Sequence, residues 1–253
     1  MKKILKSIVI VITLLFIGLA FQPMVSTNEL KKEQMEPNDF LFDTIINIAN
    51  KPEINELLNQ IVQEWKNGNS YITWNFDSKI IFKNLILKKP KLLVSLLFTE
   101  PSVTHDYLES SYIKGCEITS ALGEKNVIDT VDSVEITNPE ILDELNNLVI
   151  NDEELSARIT TLEQLNENSE SVPFRNYTTI CKVLLILYYV YLIRCAIVSL
   201  FSKFFEGLPL ISVIFDFMWF KNWEFAGVSL LIFQLIDDTI GCEKPSPTFI
   251  AET

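Results

Sequence analysis

A mainly α-helical protein, with an exported and repeat-like helical domain followed by a membrane hairpin, is the fold class the sequence predicts. Three observations predict it: an apolar leader, several stripes of apolar residues at helical spacing, and two long apolar arms near the end of the chain. They divide the 253 residues into a signal peptide over 1–26, an exported helical domain over 27–178, membrane-anchoring helices over 179–240 and a polar tail over 241–253. A net charge of -12 lacks the lysine and arginine surplus needed to displace counterions from phosphate backbones, so nucleic acid is excluded as a partner. With 48% hydrophobic residues, 7 glycines and 10 prolines, collagenous and wholly disordered chains are excluded too.

The leader begins with Lys2, Lys3 and Lys6 and continues as an apolar run from Ile8 to Ala20. Gly18 and Ala20 supply small residues for a cleavage site, and Ser26 supplies another. With Phe21-Gln22-Pro23 behind it, the segment resembles the secretory signal peptides of archaeal exported proteins. That resemblance covers the leader alone and implies export, with no function attached.

Next come the stripes. Ile54, Leu57, Leu58, Ile61, Val62 and Trp65 recur at three- and four-residue steps and line one helix face. Ile141, Leu142, Leu145, Leu148 and Val149 make a second stripe, and Leu155, Ile159, Leu162 and Leu165 a third. Pro52, Pro90, Pro101 and Pro139 suit first helical positions, where a missing N–H costs nothing. Thr137 with Glu140, or Asn138, caps the helix at Pro139, and Asn151 with Glu154 caps the next. Only Tyr71 to Phe76 reads as a strand. Pro52-Glu53-Ile54 with Leu58-Asn59 matches Pro139-Glu140-Ile141 with Leu145-Asn146, which is the evidence for a repeat.

Charge is uneven along this domain. From Asp129 to Glu170 there are twelve acidic residues and one basic residue, Arg158, a pattern of solvated helix faces. From Ser78 to Thr99 there are five lysines and no acid, around the apolar run Leu92 to Phe98. Because Lys88 falls opposite Lys79 and Lys83, a buried helix edged with lysines is expected there ahead of a helix lying on anionic headgroups.

The C-terminal arms carry the membrane expectation. Thr179 to Phe201 is long enough to cross ~30 Å of hydrocarbon, and Arg194 and Lys203 lie toward its second end. Leu208 to Phe220 and Phe225 to Ile236 are separated by Lys221-Asn222-Trp223-Glu224, with Trp219 and Trp223 as interfacial anchors. In a hairpin turning near Phe205, Arg194 and Asp216 each lie ~16 Å from the tip, making them a candidate intramembrane ion pair. Cys181 and Cys242 bracket the arms and are a candidate disulfide on the outer side. Asn176-Tyr177-Thr178 makes Asn176 a candidate glycosylation site.

Chemistry is harder to find. His105 is the one histidine, and Cys116 on the same helix lies ~16 Å away along the axis, too far to form a catalytic pair. Neither a nucleophile elbow nor a phosphate-cradling glycine loop is visible, and no cysteine pair has zinc spacing, so no cofactor or metal is expected. The reading that follows is a cell-surface interaction protein, anchored in the lipid bilayer and bound to a protein partner of unknown identity. The alternatives are a small membrane-complex or transport component using intramembrane charges, and a secreted hydrolase.

Overall fold

Proline and short polar caps set most helix boundaries in the computed structural model, which describes residues 36–68, 72–167, 178–205 and 209–242. Helices α1 (Pro37–Asn50) and α2 (Pro52–Lys66) each begin with a proline and meet at Lys51. Strand β1 (Ile72–Trp74) follows, then α3 (Ser78–Lys88) and α4 (Pro90–Phe98). Helices α5 (His105–Leu122) and α6 (Glu124–Asp132) lead into strand β2 (Val134–Ile136). The chain closes with α7 (Pro139–Asn151), α8 (Glu153–Glu167), α9 (Thr179–Phe205) and α10 (Pro209–Ile240).

Several expected signals sit where the spacing put them. Asn138 accepts from the Glu140 N–H at 3.1 Å, and Pro139 takes the first position of α7. Two differ. Pro101 lies in an extended segment, and α5 starts four residues later at His105. The cap of α8 is Asp152, which accepts from the Leu155 N–H at 2.9 Å, while Asn151 ends the preceding helix. A carboxylate at that position is favoured by the partial positive charge of the helix start.

β1 pairs antiparallel with β2 through Ile72–Ile136, Thr73–Glu135 and Trp74–Val134. This pairing also limits the repeat. A strand follows α2 but precedes α7, so the likeness between Pro52–Asn59 and Pro139–Asn146 ends with the helices.

Helix α9 is the axis of the fold. It touches α1, α3, α4, α5, α6, α8 and α10, and Val183, Leu187, Tyr189, Leu192, Ile193 and Val198 on it are fully buried. The described residues from 36 onward form one compact unit, in which α9 and α10 pack against the helices that precede them. The reason lies in the stripes: α1, α2, α5, α7 and α8 each have one apolar face, and only α9 and α10 are apolar enough to cover them all. Burying each such leucine or isoleucine is worth about 1.5–3 kcal/mol, so the two apolar helices supply the counter-surface for the whole jacket.

Two glycines let helices approach closely. A Cβ on Gly115 of α5 would lie 2.2 Å from Ile186 Cγ2 and 2.7 Å from Val190 Cγ2 on α9. At Gly227 of α10 it would lie 2.1 Å from the Trp65 ring, which occupies that bare spot.

Lys51 joins the α1–α2 corner to the α7–α8 corner, 2.6 Å from Asp152 and 3.6 Å from Glu154. Hydrogen bonding to Lys51 holds the Asp152 carboxyl below its ordinary value, and the same contact raises Lys51. A depressed carboxylate contributes stability above its unfolded value of 3.8, and that contribution disappears as pH falls through the lower folded value. Lys51→Ala is therefore expected to lower the urea midpoint at pH 7 but leave it equal to the parent's once the pH is well below 3.8. Urea unfolding at the two pH values checks this.

Candidate functional site

Two polar constellations sit on the apolar axis. The first surrounds Arg194, which is only 5% exposed and lies about four turns along α9. Its Nε donates to Asn222 Oδ1 on α10, Nη1 to the Tyr107 hydroxyl on α5, and Nη2 to the Thr99 carbonyl just beyond α4. Asn222 is aimed by its own helix, because its Nδ2 donates to the Met218 carbonyl at 2.7 Å and leaves Oδ1 toward the guanidinium. All three acceptors are uncharged. Burial raises the Tyr107 phenol against the opposing pull of Arg194, and burial followed by Arg194 lowers the Lys114 ammonium nearby.

This geometry gives Arg194 a role that the sequence did not show. It ties α4, α5 and α10 to the middle of α9, where Tyr107, Tyr191 and Phe225 pack ring against ring with centroids 5.4–6.2 Å apart. The Asp216 side chain, expected as its partner, lies outside the described side chains, as does that of Trp219. Arg194→Met leaves buried Asn222 Oδ1 and the part-buried Thr99 carbonyl without this donor, and is expected to cost about 2–4 kcal/mol. Asn222→Leu in the same background is expected to return part of that loss, since removing both polar partners is cheaper than removing one. Urea midpoints of the two single variants and the double variant measure the coupling.

Lys221, Trp223 and Glu224 of the polar tetrad that interrupts the second arm each meet a group of the same body, Lys221 and its partner at the surface. Lys221 lies 3.7 Å from Glu100, Glu224 lies 2.7 Å from Lys66, and the Trp223 ring packs against Trp65 with centroids 6.3 Å apart. Trp223, expected as an interfacial anchor, is half-buried where α10 meets α2.

The second constellation closes the open end of the α9–α10 hairpin. Cys181 and Cys242 form a disulfide. Gly241, at φ 70°, turns the chain after α10, and the Cys242 N–H bonds back to the Asp237 carbonyl at 3.1 Å. That is a glycine-terminated helix end, in which glycine supplies the left-handed residue at no steric cost. Asn166 of α8 adds a polar clasp: its Nδ2 donates to the Ile240 carbonyl at 3.1 Å, and its Oδ1 accepts from the Thr178 hydroxyl. Thr178 Oγ1 in turn accepts from the Cys181 N–H at 3.3 Å, capping α9. Disulfide and clasp together fix where both apolar helices meet the jacket. Asn176 lies outside the described residues, as do the leader 1–26 and residues 243–253.

Two other surfaces have chemistry of their own. A shallow open groove of about 470 Å3 runs along α2 and is lined by Asn50, Asn55, Glu56, Asn59, Gln60 and Gln63. Asn59 donates to Asn55 Oδ1 at 2.6 Å, so this row of carboxamides suits hydrogen bonding to an uncharged polar partner. His105 opens α5 with Nε2 3.4 Å from Asp39 Oδ1 and its ring edge-on to Phe42, a helix-to-helix contact at the surface. Among the described residues, no three histidine, cysteine or acidic side chains come together to hold a metal.

Compared with protein-family models, with curated proteins and with solved structures, the chain matches none.

Proposed function

We propose that this is an exported protein that acts by noncovalent contact at the outer surface of a membrane, with the helical body as its working part and α9 as its covered axis. The observation that carries the proposal is α9 itself. Its 26 residues from Thr179 to Phe204 have the length and composition to cross a membrane, yet 83% of its apolar window is buried within its own protein. The jacket turns charged residues outward, among them Glu53, Glu56, Lys83, Glu109, Glu117, Asp143 and Glu144. Such faces belong in water, so in this fold contact with lipid comes from the outside of the body. The carboxamide groove on α2 is its surface for a protein partner.

A second reading is favoured by the length of α9: the hairpin inserts while the jacket opens. Insertion would give up the three hydrogen bonds of Arg194, and the Cys181–Cys242 bridge would keep both hairpin ends on one side of the bilayer.

Fractionation of a host expressing the full chain separates these readings. Association with membranes at low salt, and release by alkaline carbonate, is the result expected of a body bound from outside. Retention after carbonate replaces that reading with the inserted hairpin. Recovery in the soluble fraction even at low salt overturns both.

A further inference from the structure

We infer that the outward face of α3, together with the adjoining end of α9, is a docking surface for an anionic lipid bilayer. This rests on the proposal that the protein works at a membrane surface. Helix α3 has two faces of different character. Ile81 and Leu85 are buried on the inner one, and Phe82 meets Phe201 of α9 edge to face at 5.5 Å. On the other side Lys79, Ile80, Lys83, Ile86 and Leu87 are all exposed, and they fall within about 120° of one another around the helix. Ile80 is 57% exposed and Leu87 71%. The expectation of a buried helix edged with lysines holds for α4, where Leu92, Leu93, Leu96 and Leu97 are buried, but not for the outward face of α3, where Lys79 and Lys83 stand among large aliphatic side chains.

Distribution over the molecule strengthens the assignment. Of eight exposed large hydrophobic residues among the described ones, six are Ile80, Ile86, Leu87, Phe98, Phe204 and Phe217. The Phe82–Phe201 contact joins α3 to the end of α9, where Lys203 and Phe204 are exposed. The Glu100–Lys221 pair links the end of α4, at Phe98, to α10 near Phe217. Lys221 also lies 5.1 Å from the centre of the Phe217 ring.

Charge identifies the occupant. The chain as a whole carries -12, yet the outward face of α3 presents Lys79 and Lys83 and no acidic residue, while Lys88 and Lys89 turn to the Ala121 carbonyl and Glu117. A basic patch on an acidic protein is drawn to a negative surface, with each cation near anionic headgroups worth about 1 kcal/mol. Aliphatic side chains between the lysines enter the acyl boundary while the lysine stems reach back to the phosphates. A neutral bilayer would accept the aliphatic side chains but lack the attraction for the lysines.

The test is flotation of the exported, disulfide-bonded protein with vesicles of phosphatidylcholine alone, or of phosphatidylcholine and phosphatidylglycerol in equal parts. Binding to the anionic vesicles at low salt, release at high salt, and little binding to phosphatidylcholine are expected. Lys79→Gln with Lys83→Gln should weaken anionic binding by about 10- to 30-fold. Ile80→Ser with Leu87→Ser should weaken it by at least about 10-fold. All four side chains are exposed, so unchanged circular dichroism and urea midpoints establish that both variants are folded. No vesicle binding by the parent, or equal binding to both vesicle types, overturns the inference. So does unchanged binding of both variants; if the full chain still fractionates with host membranes, membrane action survives and only this face is excluded. A concentration-dependent dimer in sedimentation, dissolved by Ile80→Ser with Leu87→Ser, would assign the face to a second copy of the chain and equally overturn the lipid assignment.

Discussion

Replacing Cys181 and Cys242 with serine is expected to lower the stability of the protein by about 4 kcal/mol. The bridge closes a loop across a sequence separation of 61 residues, and the chain-entropy relation for a loop of that size gives about 4 kcal/mol at room temperature. The loop contains nearly all of α9 and α10, so its loss frees the two elements on which the jacket is packed. Asn166 and Thr178 still hold the hairpin base in the variant, through the Ile240 carbonyl and the start of α9. A folded but weaker protein is the expected result, with a urea midpoint well below that of the parent. Reduction of the parent with dithiothreitol should move its midpoint to that of the double serine variant. If the midpoints of parent and variant coincide, the clasp and the helix packing hold the hairpin without the bridge.

Gly115→Val is expected to cost about 3 kcal/mol, near the upper end for overpacking a core. The new Cβ alone would stand 2.2 Å from Ile186 Cγ2, 2.7 Å from Val190 Cγ2 and 3.3 Å from the Ile186 carbonyl. The last of these is backbone, which cannot turn aside as a side-chain methyl can. Relief requires α5 to move away from α9, and that movement also draws Tyr107 from Arg194. Gain of helix propensity on removing a glycine is at most about 1 kcal/mol and does not offset the clash. Thermal unfolding and the near-ultraviolet signal of the tyrosine cluster should both change. Gly123→Ala, where a Cβ meets nothing within 4 Å but φ is 90°, is the control for backbone strain without a clash.

How much of this was legible in the sequence depended on range. The apolar stripes of α2, α7 and α8 state which residues face inward, and Ile54, Leu57, Leu58, Ile61, Ile141, Leu145, Val149, Leu155, Ile159 and Leu162 are all buried. Proline and asparagine at Pro52, Pro90, Asn138 and Pro139 act within one helical turn, so their meaning is local. Strand β2 was missed because Val134-Glu135-Ile136 is three residues long and depends on β1 for its hydrogen bonds.

The apolar arms show where local reading stops. A helix buried on all sides by protein and one surrounded by lipid have nearly the same composition, since both must avoid exposed polar groups. What distinguishes them is the neighbours, and those come from elsewhere in the chain. The partners of Arg194 at Tyr107 and Thr99 are 87 and 95 residues away. The partners of Lys221, Trp223 and Glu224, which are Glu100, Trp65 and Lys66, likewise cannot be inferred from spacing. The bare spot at Gly227 becomes readable only with Trp65 lying on it.

Cooperative unfolding of residues 27–178 produced without 179–253 tests most directly whether the two apolar helices are the core of the body. If they are, the shortened chain should lack a sharp urea transition and bind a hydrophobic dye, because the inner faces of α1, α5, α6 and α8 have lost their cover. A cooperative transition with the dispersed amide spectrum of a folded domain would contradict the account, and would return α9 and α10 to the role of an anchor attached to an independent domain.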